Sequence, residues 1–150
     1  MYDIVIIGAG VSGCMLAHKL ARYQLKTAVI EAGCDVASGA TRANSAIVHA
    51  GFDAENGTLK AKLNVIGCTE LPKIAEQLDV PYKNNTSIVA AFSDEDVEKL
   101  HVLYERGERN GVKGLYIADR DEVHKLEPNL SDEVVAALVA PSAGIICPYE

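Results

Sequence analysis

Three glycines and one acid set the first chemical possibility. Gly8, Gly10 and Gly13 stand in G-x-G-x-x-G spacing within "GAGVSG", with Ala9, Val11 and Ser12 between them. The first glycine permits a tight turn, and the second lets a pyrophosphate approach the backbone. The third lets a helix and a strand pack closely. A helix opening at this point offers N–H groups and partial positive charge to phosphate. Glu31 follows eighteen residues after Gly13, with Ala32 beside it. An acid there accepts hydrogen bonds from ribose hydroxyls and repels a 2′-phosphate. The combination predicts a dinucleotide site rather than a glycine-rich structural turn, and does not choose between nicotinamide and flavin dinucleotides.

A second candidate stretch is "GATRANSAIVHAGF", residues 39–52. Its small and polar start carries Thr41, Arg42, Ala43, Asn44 and Ser45. Its apolar end sets His49 among Ile47, Val48, Ala50, Gly51 and Phe52. His49 has two readings. It is either a packed core histidine with a satisfied ring N–H or a proton acceptor working near neutral pH. Arg42 is either an anion contact or a solvated loop arginine. Asn44 and Ser45 either bind a cofactor or close the loop turn. Lys60 and Lys62 read as a solvated helix face, and Tyr104 and Tyr116 as packing or surface residues.

These residues need elements to hold them. The β-branched run from Ile4 to Ile7 predicts a buried parallel strand. Residues 12–23 predict a helix with Cys14, Leu16, Ala17, Leu20 and Ala21 on its apolar face, Ala17 keeping it close to the sheet. Thr27 to Glu31 predicts a second strand and completes a β-α-β unit. Residues 34–45 read as a loop. Residues 57–79 are helical by period, with Leu59, Leu63, Ile66, Ile74 and Leu78 on one broad face. Pro72 lacks an N–H and crowds the preceding turn, so two helical pieces or a bend are expected there. Beyond residue 80, strands are expected at 86–92, 114–118, 133–140 and within 144–148. The apolar run at 133–140 does not exclude a helix. A helix over 93–111 opens on Ser93 as N-cap, with Asp94, Glu95 and Asp96 in its positive first turn. Its expected buried stripe is Val97, Leu100 and Leu103. Asp119 is placed to cap a short helix that runs to Leu126.

Composition narrows the class. The chain has 150 residues, 49% hydrophobic and 23% charged, with a formal net charge of −7. That suits a globular domain with a real core and argues against a general nucleic-acid binder. Cys14, Cys34, Cys68 and Cys147 form no C-x-x-C pair, and no histidine cluster suggests a metal site. Neither a secretory signal nor a transmembrane run is evident, so a cytoplasmic location is expected. Two parallel strands cannot bury both faces of a doubly wound sheet. We therefore expect further strands from sequence after residue 150. The incomplete sheet leaves an apolar face and an edge, which invites pairing with a second copy.

"ATRANSAIVHAGFDAENGTLKAKLN" and "LEPNLSDEVVAALVAPSAGIICPYE" resemble the D-amino-acid-oxidase-like flavoproteins. Within that group they look like FAD-dependent glycerol-3-phosphate dehydrogenases and oxidases, and like the flavoenzymes that oxidise L-2-hydroxyglutarate. The resemblance spans nearly the whole chain, with Pro72 and the small and cysteine residues of "EAGCD" as departures. It implies an α/β fold: a Rossmann-like FAD-binding β-α-β with an incomplete parallel sheet, plus part of an antiparallel α+β substrate domain. Residues 1–80 would belong to the FAD-binding portion, and residues 81–150 would start the substrate-binding portion. The resemblance implies that Gly8, Ala9, Gly10, Val11, Ser12 and Gly13 hold the FAD pyrophosphate. Glu31 would hold the adenosine ribose, with Ala32 at the same cofactor contact. Thr41, Arg42, Ala43, Asn44 and Ser45 would run along the pyrophosphate, ribityl chain and flavin edge. His49 would lie near the reactive face of the flavin.

The substrate implied is a small anion, glycerol 3-phosphate or a 2-hydroxy acid such as L-2-hydroxyglutarate. An electron acceptor that the sequence does not identify would reoxidise the flavin. Two alternatives stand beside this. One is a catalytically inert nucleotide-binding fragment, and the 150-residue chain alone is expected to bind FAD weakly and turn over nothing. The other is an NAD-binding oxidoreductase, which the Asn44, Ser45 and His49 segment fits less well.

Overall fold

The structure is a computed structural model and describes Met1–Tyr149. It separates into two compact units, residues 1–45 with Tyr149 and residues 46–148.

The first unit is the β-α-β element. Strand β1 (Ile4–Ile7) pairs in parallel with β2 (Thr27–Ile30), with Ile4 opposite Thr27 and Ile7 opposite Ile30. Helix α1 (Val11–Leu20) connects them. It packs through Gly13, Met15, Ala17 and Leu20, which are half-buried, whereas Cys14 and Leu16 of the expected apolar face are exposed. No residue of α1 is fully buried, because a two-stranded sheet is too narrow to cover a helix face.

The second unit carries two antiparallel sheets. Strands β3 (Ile47–Val48) and β4 (Tyr82–Lys83) flank β8 (Gly144–Ile146), while β5 (Ser87–Ala91) and β6 (Tyr116–Asp119) flank β7 (Ala136–Ala140). β7 is buried along its whole length, which explains its unbroken apolar sequence and settles it as a strand. Its alternation divides the core. Ala136, Leu138 and Ala140 face a cluster with Leu100, Val112 and Leu115, and Ala137 and Val139 face one with Val123 and Val134.

The helix starts follow their caps. In α3 (Asp94–Asn110) the Ser93 hydroxyl accepts from the Asp96 N–H at 3.2 Å. In α4 (Arg120–Leu126) the Asp119 carboxylate accepts from the Glu122 N–H at 2.9 Å. Gly111, with φ +86°, ends α3 in the left-handed conformation. Leu100 is buried, with Val97 and Leu103 half-buried against the same cluster. Tyr104 and Tyr116 both pack against the core.

Helix α2 (Leu59–Gln77) excludes the two-piece alternative at Pro72 and corrects the expected buried face. It runs unbroken through Pro72 rather than as two pieces. The proline removes one N–H, but Cys68 and Ala75 are buried on either side of it and keep both halves packed. The buried positions are Ala61, Cys68 and Ala75 rather than the larger residues of the expected face. Leu59, Leu63, Ile66 and Leu78 are exposed, at 69%, 55%, 47% and 46%. Small side chains let α2 approach α3, β3 and β4, so the seam follows size rather than hydrophobicity. No helix among the described residues is long and apolar enough to cross a membrane.

Candidate FAD and substrate site

The glycine turn is built by backbone. Gly8 has φ +98°, a conformation that disfavours a side chain, and its N–H donates to the Ile30 carbonyl at 2.7 Å. A Cβ on Gly13 would stand 2.0 Å from the Gly8 carbonyl oxygen, so helix and turn meet only because that atom is missing. A Cβ on Gly10 would crowd the Thr41 hydroxyl at 3.2 Å. No side chain caps α1 at Gly10. The first-turn N–H groups of Ser12 and Gly13 therefore have no partner within the helix and suit a pyrophosphate.

Two side chains brace this turn. The Glu31 carboxylate accepts from the Ala9 N–H at 2.7 Å and the Gly33 N–H at 2.8 Å. These bonds, Gly33 first and Ala9 next, with a lesser one from Ala32, hold the carboxyl below its ordinary range. It is thus ionised at neutral pH, with lone pairs left for ribose hydroxyls. The Thr41 hydroxyl accepts from the Val11 N–H at 2.9 Å, tying the later loop to the start of α1.

The rest of that loop is exposed. The N–H groups of Arg42 and Ala43 donate to the Gly39 carbonyl at 3.1 and 3.3 Å. Arg42 lies 3.6 Å from Asp35 in a surface ion pair, a contact of small energetic weight. The Asn44 amide donates to the Thr41 and Ala40 carbonyls, closing the turn. Ser45 and Ala43 are exposed, as is Ala32.

His49 sits directly after β3. Val48 and Ala50 on either side are 5% and 2% exposed, whereas His49 itself is exposed. The strand alternation turns its neighbours inward and the imidazole outward, so His49 is not a packed core residue. β3 is only two residues long and pairs with β8, Ile47 opposite Ile145 and Val48 opposite Gly144. Past His49 the chain turns at Gly51, with φ +110°, where a Cβ would stand 2.6 Å from a Val65 methyl. Phe52 then passes over Gly107, whose Cβ would lie 3.0 Å from that of Phe52.

Sequence reasoning missed Arg106, Gly107 and Asn110 of α3, which face this turn. Arg106 and Asn110 share a helix face at i, i+4 spacing, and a glycine inside a helix marks close approach. Asn110, next to Gly111, reads in sequence as an ordinary helix end.

The family model described as FAD dependent oxidoreductase (DAO) matches residues 3–150. A glycerol 3-phosphate dehydrogenase of Caloramator mitchellensis is 47% identical over 150 residues, which is 100% of this chain and 31% of that protein. A mitochondrial L-2-hydroxyglutarate dehydrogenase of Nematostella vectensis is 33% identical over 147 residues, 97% of this chain and 32% of that protein. The chain thus spans about a third of the length of these curated relatives. Among solved structures, the dithionite-reduced L-alpha-glycerophosphate oxidase of Mycoplasma pneumoniae with FAD bound superimposes with a TM-score of 0.89. It is 30% identical, with 98% of this chain and 39% of that one covered.

Proposed function

The chain belongs to the DAO family of FAD-dependent oxidoreductases, and from that premise we propose that the full-length protein oxidises glycerol 3-phosphate to dihydroxyacetone phosphate. One observation carries this substrate: the 47% identity to a glycerol 3-phosphate dehydrogenase over all of this chain. The glycine turn is the FAD cradle, with Gly8, Ala9, Gly10, Val11, Ser12 and Gly13 around the pyrophosphate and Glu31 and Ala32 at the adenosine end. Thr41, Arg42, Ala43, Asn44 and Ser45 line the path toward the flavin. On this division residues 1–80 serve the cofactor and residues 81–150 begin the substrate-binding portion. We place the protein in the cytoplasm, in keeping with its four free cysteines.

FAD, when bound, supplies the acceptor for the hydride that leaves the carbinol carbon. The substrate hydroxyl must lose its proton as the C–H bond breaks and the C=O bond forms. His49 is exposed at a fixed point of the chain and takes that proton. The Ser12 and Gly13 N–H groups anchor the pyrophosphate, and the Glu31 carboxylate accepts from the ribose. An electron acceptor of unassigned identity completes turnover.

L-2-hydroxyglutarate is the second reading, favoured by 33% identity over 97% of the chain to an enzyme named for that substrate. Steady-state assays of the full-length protein on both compounds decide between them. The kcat/KM should be at least about a hundredfold higher for glycerol 3-phosphate, within the roughly 10⁴–10⁵ by which a site built to hydrogen-bond one substrate rejects another. Preference for the dicarboxylate would overturn it.

A further inference from the structure

The turn after His49 is held from one side by α3, chiefly through the Asn110 side chain. Both Asn110 amide hydrogens are used: Nδ2 donates to the Gly51 carbonyl at 3.0 Å and to the Ala54 carbonyl at 2.8 Å. Its Oδ1 accepts from Asn56 Nδ2 at 2.7 Å, and the same Asn56 amide donates to the Arg106 carbonyl at 3.0 Å. Arg106 Nη1 adds a bond to the Asp53 carbonyl at 3.0 Å. Gly107 lets the Phe52 backbone lie against the helix. The last turn of α3 is thus a template for residues 51–56. On the other side of His49, β3 is fixed by its pairing with β8, and the Ile146 N–H donates to the Ala46 carbonyl at 3.0 Å.

His49 is therefore spanned by two anchors, Val48 in the ladder one residue before it and Gly51 on Asn110 two residues after it. The flanking residues Val48 and Ala50 are buried, which leaves the imidazole as the exposed point of a clamped arch. An exposed imidazole on an unclamped arch would wander, and displacement of about 1 Å costs up to about a hundredfold in rate.

We propose that Asn110 is a positioning residue that fixes the His49 arch through the Gly51 and Ala54 carbonyls. This rests on the proposed role of His49 in proton transfer. Asn110 touches neither substrate nor flavin in this account and acts only through the backbone on which His49 stands.

The test uses the full-length FAD-loaded protein with Asn110→Ala, His49→Ala and the double variant. Hydrogen exchange read by mass spectrometry should rise in peptides covering residues 49–56 and stay unchanged over Ala136–Ala140. Flavin reduction by saturating substrate should slow about ten- to hundredfold in Asn110→Ala, with KM and FAD content within twofold. The double variant should be no slower than His49→Ala alone. Exchange rising across the whole unit, a rate within twofold of wild type, or losses that multiply in the double variant would each overturn the proposal. If His49→Ala itself reduces flavin normally, the proton-transfer reading falls, and the exchange pattern still decides whether Asn110 holds the arch. Should Asn110→Ala not fold, Asn56→Ala removes the bonds to Asn110 Oδ1 and the Arg106 carbonyl from an exposed position. It should give the same pattern at smaller size, and unchanged exchange over residues 49–56 would count against the clamp.

Discussion

In residues 1–45 only Ile6 and Ala9 are buried, whereas β7 alone buries five consecutive residues. The first region would make the proposed cofactor site mainly from backbone, a glycine turn and the first N–H groups of α1, braced by the Glu31 carboxylate and the Thr41 hydroxyl. The second makes a packed two-cluster core and uses it to hold one exposed imidazole. The difference separates two ways of fixing a functional group. In residues 1–45 a missing side chain creates the geometry, as at Gly13 under the Gly8 carbonyl. In residues 46–148 geometry comes from partners far along the chain, β8 and α3, that clamp both sides of His49.

Gly13→Ala should break the first region hardest. Its new methyl would meet a backbone oxygen that cannot rotate away, a strain of about 1–3 kcal/mol or more. Affinity of the full-length protein for FAD should fall about tenfold to a hundredfold, while exchange protection over Ala136–Ala140 stays. Wild-type FAD affinity by titration would mean that close helix approach does not make the cradle.

Gly51→Ala is the counterpart in the second region. Its φ of +110° and the Val65 contact predict a loss of about 1–3 kcal/mol, read as a lower urea midpoint. An unchanged midpoint would mean that the turn at Gly51 tolerates a side chain and does not require glycine.

Glu31 gives a pH test confined to the first region. Hydrogen bonds from Gly33 and Ala9 lower its pKa below the ordinary 4.5. The resulting support for the turn is fully present above about pH 4.5 and is lost as pH falls below it through the lowered value. Exchange in peptides spanning Gly8 to Cys14 should therefore rise on acidification, and Glu31→Gln should abolish that acid-dependent step. A step that survives the substitution belongs to another group.

The smallest contrast lies in the thiols. Cys14 and Cys34 are exposed and Cys68 is buried, where burial raises its pKa. Alkylation of the folded full-length protein should modify Cys34 well before Cys68. Equal rates would show that the second core opens as readily as the surface.

The two regions also differ in how far sequence reveals them. The glycine turn was legible because each residue answers to a local rule: spacing for Gly8, Gly10 and Gly13, strand end for Glu31. The caps at Ser93 and Asp119 were legible for the same reason. β3 and β4 were not, because strands of two residues carry no period and exist only by pairing with β8. The expected face of α2 was misread because periodicity marks large apolar residues, whereas the helix packs through Ala61, Cys68 and Ala75. Asn110 escaped notice because its partners lie more than fifty positions earlier.

In the proposed mechanism His49, rather than a residue of the backbone-built region, carries the proton step. Anaerobic rapid mixing of the full-length FAD-loaded protein with glycerol 3-phosphate tests it directly, wild type against His49→Ala. Flavin bleaching should slow by about a hundredfold or more in His49→Ala, with bound FAD unchanged. Bleaching at close to the wild-type rate would contradict it.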